Sequence, residues 1–340
     1  MNENTSVSST ALESDAGSWQ RSLAQAIRDP NELIRLLDLP DSLREPARRA
    51  AEQFGLVVPR SYLARIERAC PHDPLLLQIL PTASEAHGAE RFTDDPLAES
   101  ECRVAPGLLK KYAGRALLVT TGTCAINCRY CFRRNYPYGL EPSGLDEWEP
   151  AMRALERDES IHEVLLSGGD PLVLSNARLE SLCERLASIE HLARIRIHTR
   201  LPIVLPDRVD EELIGMLKSS RLTAIIVVHA NHPNEIAFDC ADSLKALVDS
   251  GLTVLNQSVL LRGVNDSADV LAQLSERLVN LGVIPYYLHQ LDRVTGAAHF
   301  EVPVEQGRLL IEELRHRLPG YAVPQYVQER PGELHKTPLL

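Results

Sequence analysis

Residues 115–131 read RALLVTTGTCAINCRYC, and the fold is decided by how this stretch is read. Its first seven residues form an apolar, β-branched run that predicts a strand. The loop that follows carries Cys124, Cys128 and Cys131 in a C-x3-C-x2-C spacing. Comparable strand runs recur near 162–167, 194–199, 222–229, 252–260 and 284–289. Amphipathic helical stretches lie between them, near 145–157, 176–189, 208–219, 241–250 and 266–281, with another near 305–317. Such alternation predicts parallel strands joined by right-handed crossovers. Six units are too few to close an eight-stranded barrel. The expectation is therefore an α/β chain on an open (β/α)6 partial TIM barrel, with a doubly wound sheet as the alternative. In both, function sits at the C-terminal ends of the strands, where the cysteine loop lies.

Residues 106–320 hold this core, and 321–340 form a C-terminal segment. Residues 19–105 read as an N-terminal helical subdomain and connector. Leu23, Ile27, Leu33, Leu36 and Leu37 fall at three- and four-residue steps, and Asp29-Pro30 reads as an N-cap followed by proline at the first helical position. A second helix, Asp41 to Phe54, ends at Gly55, a candidate left-handed glycine past the helix end. Residues 81–108, with Pro81, Pro96 and Pro106, are expected to connect, and the Ser-rich residues 1–18 to be a disordered tail.

Of the 340 residues 44% are hydrophobic, enough for a sizeable core. A net charge of −11 argues against a general nucleic-acid or anionic-membrane binder. No run approaches the ~18 apolar residues of a membrane-spanning helix. The first 20 residues contain no Lys or Arg and match neither a secretory nor a mitochondrial leader. Seven cysteines, an odd number, argue against a disulfide framework and for a reducing cytoplasm.

Cys70, Cys102, Cys183 and Cys240 are scattered singly and read as packed thiols. For the clustered three, zinc and a redox dithiol are the plain alternatives. Structural zinc needs four ligands, and no Cys or His lies nearby to complete the set. A redox pair leaves Cys124 without a task. Three thiolates at this spacing suit an iron–sulfur cluster with one iron open to an outside ligand.

The cysteine segment closely resembles the signature of the radical SAM superfamily. That resemblance implies a 4Fe-4S cluster whose open iron chelates S-adenosylmethionine, cleaved reductively to a 5′-deoxyadenosyl radical. Ser167, Gly168, Gly169 and Asp170, where the second strand ends, resemble the family's glycine-rich segment against the amino group of S-adenosylmethionine. Glycines there admit close approach to the backbone. Gln257 is a further candidate contact to the same ligand.

More specific segments surround these. Residues 128–134 (CRYCFRR), 231–235 (NHPNE), 256–266 (NQSVLLRGVND), 285–287 (PYY) leading to Asp292, and Lys336-Thr337-Pro338 resemble lysine 2,3-aminomutase. The likeness runs from about Asp95 to Lys336. Within that family the N-terminal helices and short C-terminus look most like the branch that prepares the (R)-β-lysyl group for elongation factor P. The resemblance implies that Lys336 holds pyridoxal 5′-phosphate as a Schiff base, which needs the C-terminal segment to close over the barrel mouth. It also implies that Lys111, Tyr112 and Arg115 meet the cofactor phosphate, that Arg133 takes the substrate carboxylate, and that Asp292 and Glu329 take the distal ammonium of lysine. A planar guanidinium suits a carboxylate, and desolvated acids suit an ammonium. The implied reaction moves the amino group of L-lysine from C2 to C3, with S-adenosylmethionine acting catalytically.

Two features depart from enzymes that act on free lysine. Glu329 stands where the family usually has Asp, and residues 331–335 (PGELH) lack a glycine run before the lysine. The chain also stops four residues after Lys336, so monomer or dimer is expected over the usual tetramer. Implied partners are lysine, an electron donor, and, through function, elongation factor P and its lysyl ligase; direct nucleic-acid or membrane contact is not implied. The rival readings are an aminomutase for free lysine or glutamate, a radical SAM enzyme without pyridoxal phosphate, and a non-enzymatic iron–sulfur or zinc module.

Overall fold

The computed structural model describes residues 18–142 and 144–340, so the expected tail lies outside the described residues except for Ser18. Ten strands form one sheet in chain order: β1 (Arg103–Ala105), β2 (Leu108–Tyr112), β3 (Arg115–Thr121), β4 (Glu163–Gly168), β5 (Arg194–Thr199), β6 (Thr223–His229), β7 (Thr253–Val259), β8 (Ile284–His289), β9 (Gln325–Gln328) and β10 (Thr337–Pro338). Strands β3 to β8 are parallel, each joined to the next by a helical crossover. β1 is not paired with β10, so the barrel is open. The crossover helices include Leu145–Arg157, Asn176–Ala187, Glu211–Ser219, Phe238–Asp249 and Ala268–Asn280. Ser175 and Asp210 cap two of them by accepting the backbone N–H groups of Arg178 and Leu213.

Period-two burial explains why the barrel has an open lumen. On β5, Ile195 and Ile197 pack against the helical layer, while Arg196 and His198 point into the barrel. On β7, Val254 is buried outward, while Gln257 and Val259 face inward. Polar inward-facing side chains leave a cavity where a packed barrel would have aliphatic layers.

Three expectations change. The parallel run has a seventh strand: after the helix Val304–Arg317, β9 pairs parallel with β8, and β10 folds back on β9. Four and two residues long, these strands show little periodicity. The connector also ends in a strand, β1, and the core opens with an unexpected one, β2, which places Lys111 and Tyr112 at the barrel edge. Gly55 is not a left-handed cap. Phe54 ends the helix Arg44–Gln53 in an extended conformation (φ −138°), because the chain turns there to run beneath the cysteine loop. Asp29 does cap the helix Pro30–Leu36. The N-terminal helices share one core with the barrel, in which Leu33, Ile34, Tyr62 and Leu75 join Leu118, Val164 and Ile195.

Candidate active site

A cavity of about 410 Å³ opens at the C-terminal end of the parallel strands. Its wall brings together Cys124, Cys128, Cys131, Lys111, Tyr112, Arg115, Arg133, Ser167, Gly168, Gly169, Asp170, Gln257, Asp292, Glu329 and Lys336. Lys111 and Lys336 are 225 positions apart in sequence, yet both contact Glu329 here.

The cysteine loop is clamped from the N-terminal side. Arg129 is fully buried, donating to both carboxylate oxygens of Glu85 at 2.9 and 2.6 Å and to the carbonyls of Phe54 and Gly55. Arg134 donates to the same Glu85 at 2.6 Å. Two guanidiniums on one desolvated carboxylate leave the loop little freedom. Burial raises the Cys124 thiol well above its ordinary value and pushes Cys131 up to about 11, with the neighbouring Cys128 adding to the latter. With three thiols and no fourth Cys or His in the loop, the trio falls short of the four ligands of a structural zinc site. Three soft donors facing a cavity, with no fourth beside them in the loop, fit a cluster that keeps one iron open. Of the other four cysteines, Cys183 and Cys240 pack inside, but Cys70 is half-exposed and Cys102 lines the cavity, so those two are not core thiols.

The glycine pair admits a close approach, and within the chain the approaching group is the cysteine loop. Gly168 has φ +109°, and a Cβ on Gly169 would stand 2.3 Å from the carbonyl oxygen of Thr123. What comes close is the cysteine loop itself: the N–H groups of Gly169 and Asp170 donate to the carbonyls of Thr121 and Thr123 at 2.6 and 2.9 Å. The Asp170 carboxyl accepts from Thr199 Oγ1 (2.7 Å) and from the backbone N–H groups of Arg200 (2.6 Å) and Leu172 (3.0 Å). Burial holds it at about 6 against those donors. Ser167 Oγ accepts from Arg133 Nη1 at 3.0 Å. Both side chains are thus committed inside the protein, and backbone atoms of the segment are what remain for a ligand.

The opposite end is built from amines and acids. Glu329 bridges two lysines, taking Lys111 Nζ at 2.7 Å and Lys336 Nζ at 2.5 Å. Their cations outweigh desolvation and hold its carboxyl far below the usual range. Beside this trio, Asp292 has no hydrogen-bond donor on its carboxyl among the described residues. Desolvation first, and the Glu329 carboxylate next, push it up to about 7 against the pull of Lys336 and Lys111. Arg115 lies 4.7 Å over the ring of Tyr112 and has no carboxylate partner among the described residues, so its charge is available to an anion. The C-terminal segment is docked by β10, by buried Leu339, and by Arg308 donating to the Leu339 carbonyl at 2.6 Å; this sets Lys336 at the cavity wall. An amine on the same cavity wall as the Arg115 guanidinium, which has no carboxylate partner among the described residues, fits an aldehyde-and-phosphate cofactor.

Several groups escape sequence reasoning. Glu99, on the connector, forms a bidentate pair with Arg133 at 2.7 Å for both contacts, and no local pattern announces it. Three neutral histidines line the cavity, His198, His229 and His289, each with a buried Nε2 that has no partner among the described residues. Burial lowers all three, His229 to about 3. Their signal was available: each sits near the C-terminal end of a strand, at an inward-facing position.

The chain is similar to known proteins along most of its length. The chain matches the radical SAM superfamily over residues 118–274. It is 45% identical over 322 residues to the L-lysine 2,3-aminomutase of Escherichia coli (strain K12), spanning 94% of each chain. It is 42% identical over 319 residues to the Haemophilus influenzae protein of that name, again spanning 94% of each. A 36% identity over 329 residues links it to the Clostridium subterminale L-lysine 2,3-aminomutase, covering 96% of this chain and 79% of that one.

Proposed function

The chain belongs to the lysine 2,3-aminomutase family of the radical SAM superfamily, and from that premise we propose that it converts L-lysine to (R)-β-lysine. The observation that carries the reading is one cavity lined by three thiols at one end and by Lys336, Asp292 and Glu329 at the other. When bound, a 4Fe-4S cluster with S-adenosylmethionine supplies hydrogen abstraction, and pyridoxal phosphate supplies an electron-delocalising ring.

Cys124, Cys128 and Cys131 would hold the cluster, with the backbone of Ser167–Asp170 and the side chain of Gln257 beside S-adenosylmethionine. Lys336 would hold pyridoxal phosphate, with Arg115, Lys111 and Tyr112 at its phosphate. Arg133, fixed by Glu99 and Ser167, presents its remaining N–H groups to the α-carboxylate of lysine. With Lys336 holding the cofactor and Lys111 at its phosphate, Asp292 and Glu329 would be left as two carboxyls on one wall of the cavity, which suits an ammonium rather than the side chain of glutamate.

The likeness of the N-terminal helices to the elongation factor P branch, and residues 331–335 without the glycine run of enzymes that act on free lysine, support a role in supplying β-lysine for that factor. A one-electron donor must reduce the cluster. Seven unpaired cysteines and an oxygen-sensitive centre suit the cytoplasm. No helix among the described residues is long and apolar enough to cross a membrane.

The test is anaerobic reconstitution with iron, sulfide, S-adenosylmethionine and pyridoxal phosphate, followed by product analysis with lysine and with glutamate. β-Lysine is expected, with no net loss of S-adenosylmethionine. Turnover of glutamate alone would overturn the reading.

A further inference from the structure

The three thiols do not share equivalent surroundings. Among the described residues Cys128 alone of the three accepts a hydrogen bond from a charged side chain: Arg200 Nη1 donates to its Sγ at 2.7 Å. Arg200 follows the C-terminal end of β5 and is 5% exposed. Its other arm is gripped firmly. Nη2 donates to Glu235 Oε2 at 2.8 Å and to Gln78 Oε1 at 2.7 Å, and the guanidinium lies over the rings of Tyr62 and Tyr130 at 5.6 and 5.8 Å. Glu235 is itself saturated, its Oε1 accepting from the N–H groups of Asn231 (2.8 Å) and His232 (3.1 Å) and from Gln78 Nε2 (3.1 Å). A planar fork pinned on one side has its other side aimed. Nη1 cannot leave Cys128 unless Nη2 leaves Glu235.

Fold stability alone does not call for this arrangement. The pair with Glu235 already neutralises Arg200, and a guanidinium so paired could have turned its second arm to a carbonyl. It is turned to a sulfur that faces the cavity. Adding an electron to an iron–sulfur cluster adds negative charge, part of it on the cysteine sulfurs. A charge-assisted donor on one sulfur in a water-poor site stabilises the reduced form more than the oxidised one.

We propose that Arg200 is a positioning residue that acts through Cys128, drawing electron density from that sulfur and setting the cluster's reduction potential less negative, with Glu235 as the counter-charge that limits the effect. The step it governs is entry of one electron from an external one-electron donor, with no atom transferred. The inference rests on the reading that the three thiols hold a cluster. It does not depend on which amino acid is rearranged.

The experiment is a mediated redox titration of the reconstituted full chain, followed by visible absorbance and electron paramagnetic resonance, without substrate. Iron content is measured for each variant. Arg200→Gln is expected to lower the reduced-to-oxidised ratio at a fixed applied potential at least tenfold, about 59 mV for a one-electron couple. Arg200→Lys keeps a charge but cannot serve sulfur, Glu235 and Gln78 together, and is expected to fall between Arg200→Gln and the native protein. Glu235→Gln leaves the guanidinium uncompensated and is expected to shift the ratio the opposite way. A merely structural role would lower iron content without opposite shifts in potential. Iron-replete Arg200 variants that titrate within twofold of the native ratio overturn the proposal. Loss of the cluster from both Arg200 variants also overturns it, since Arg200 would then build the site rather than tune it. Absence of β-lysine from a protein that shows these shifts would count against the aminomutase reading and leave this one standing.

Discussion

Raising the pH from 6 to 8 is expected to tighten lysine binding about tenfold, and Asp292 is the reason. Its carboxyl is pushed up to about 7 by desolvation and by the neighbouring Glu329, with Lys336 and Lys111 pulling the other way. A group at that value is ~10% ionised at pH 6 and ~90% ionised at pH 8. The ammonium of lysine needs the ionised form, so binding at pH 6 must first remove a proton. The difference is about 1.4 kcal/mol, or ~10-fold in affinity. Once the ammonium is in place the carboxylate stays charged, so about one proton should leave per lysine bound near pH 6 and almost none at pH 8. The ε-amine of lysine, with its ordinary value near 10.4, stays protonated throughout and adds no slope of its own. Calorimetry of the full chain before pyridoxal phosphate is added, in two buffers of different ionisation enthalpy, reads both affinity and proton release. Asp292→Asn should remove the slope and cost about 2 kcal/mol at pH 8, the worth of a charge-assisted contact. An affinity that is flat between pH 6 and 8, or a slope that survives Asp292→Asn, would refute the reasoning.

Other perturbations test the scaffold. Gly169→Ala drives a Cβ to 2.3 Å from the Thr123 carbonyl, so the cysteine loop must shift, and iron bound per chain after reconstitution should drop sharply. Glu85→Gln removes the one carboxylate between buried Arg129 and Arg134; a loss of about 3–5 kcal/mol is expected in denaturant unfolding, with weaker iron retention. Leu339→Ala should cost about 2–4 kcal/mol locally, free the last residues to proteases, and weaken pyridoxal phosphate binding. Lys336→Ala should abolish the visible absorbance of the Schiff base and leave iron content unchanged.

The strands of the barrel were readable because each is a contiguous run rich in apolar and β-branched residues, with burial alternating cleanly on β5 and β7. Expected 194–199 and 284–289 coincide with β5 and β8, and expected 222–229 and 252–260 differ from β6 and β7 only at their ends. β9 and β10 were not, since two to four residues carry no usable period and their pairing depends on a partner far away in sequence. Gly168 and Gly169 were legible as a close-approach site, but the approaching group was not. It is the cysteine loop, which meets them only because β3 and β4 are neighbours.

The sequence by itself determined the C-x3-C-x2-C loop, the strand that presents it, and the residue types that gather at the strand ends. All of these rest on local spacing, which the chain carries before it folds. Only the tertiary structure decided how the charges pair. It sets Glu99 on Arg133, Glu85 between Arg129 and Arg134, Glu329 between Lys111 and Lys336, and Arg200 on Cys128. It also decided that Asp292 would stand without a donor among the described residues and be pushed up toward neutrality. Ion pairing and desolvation depend on distances through space and on what excludes water, and neither leaves a period along the chain.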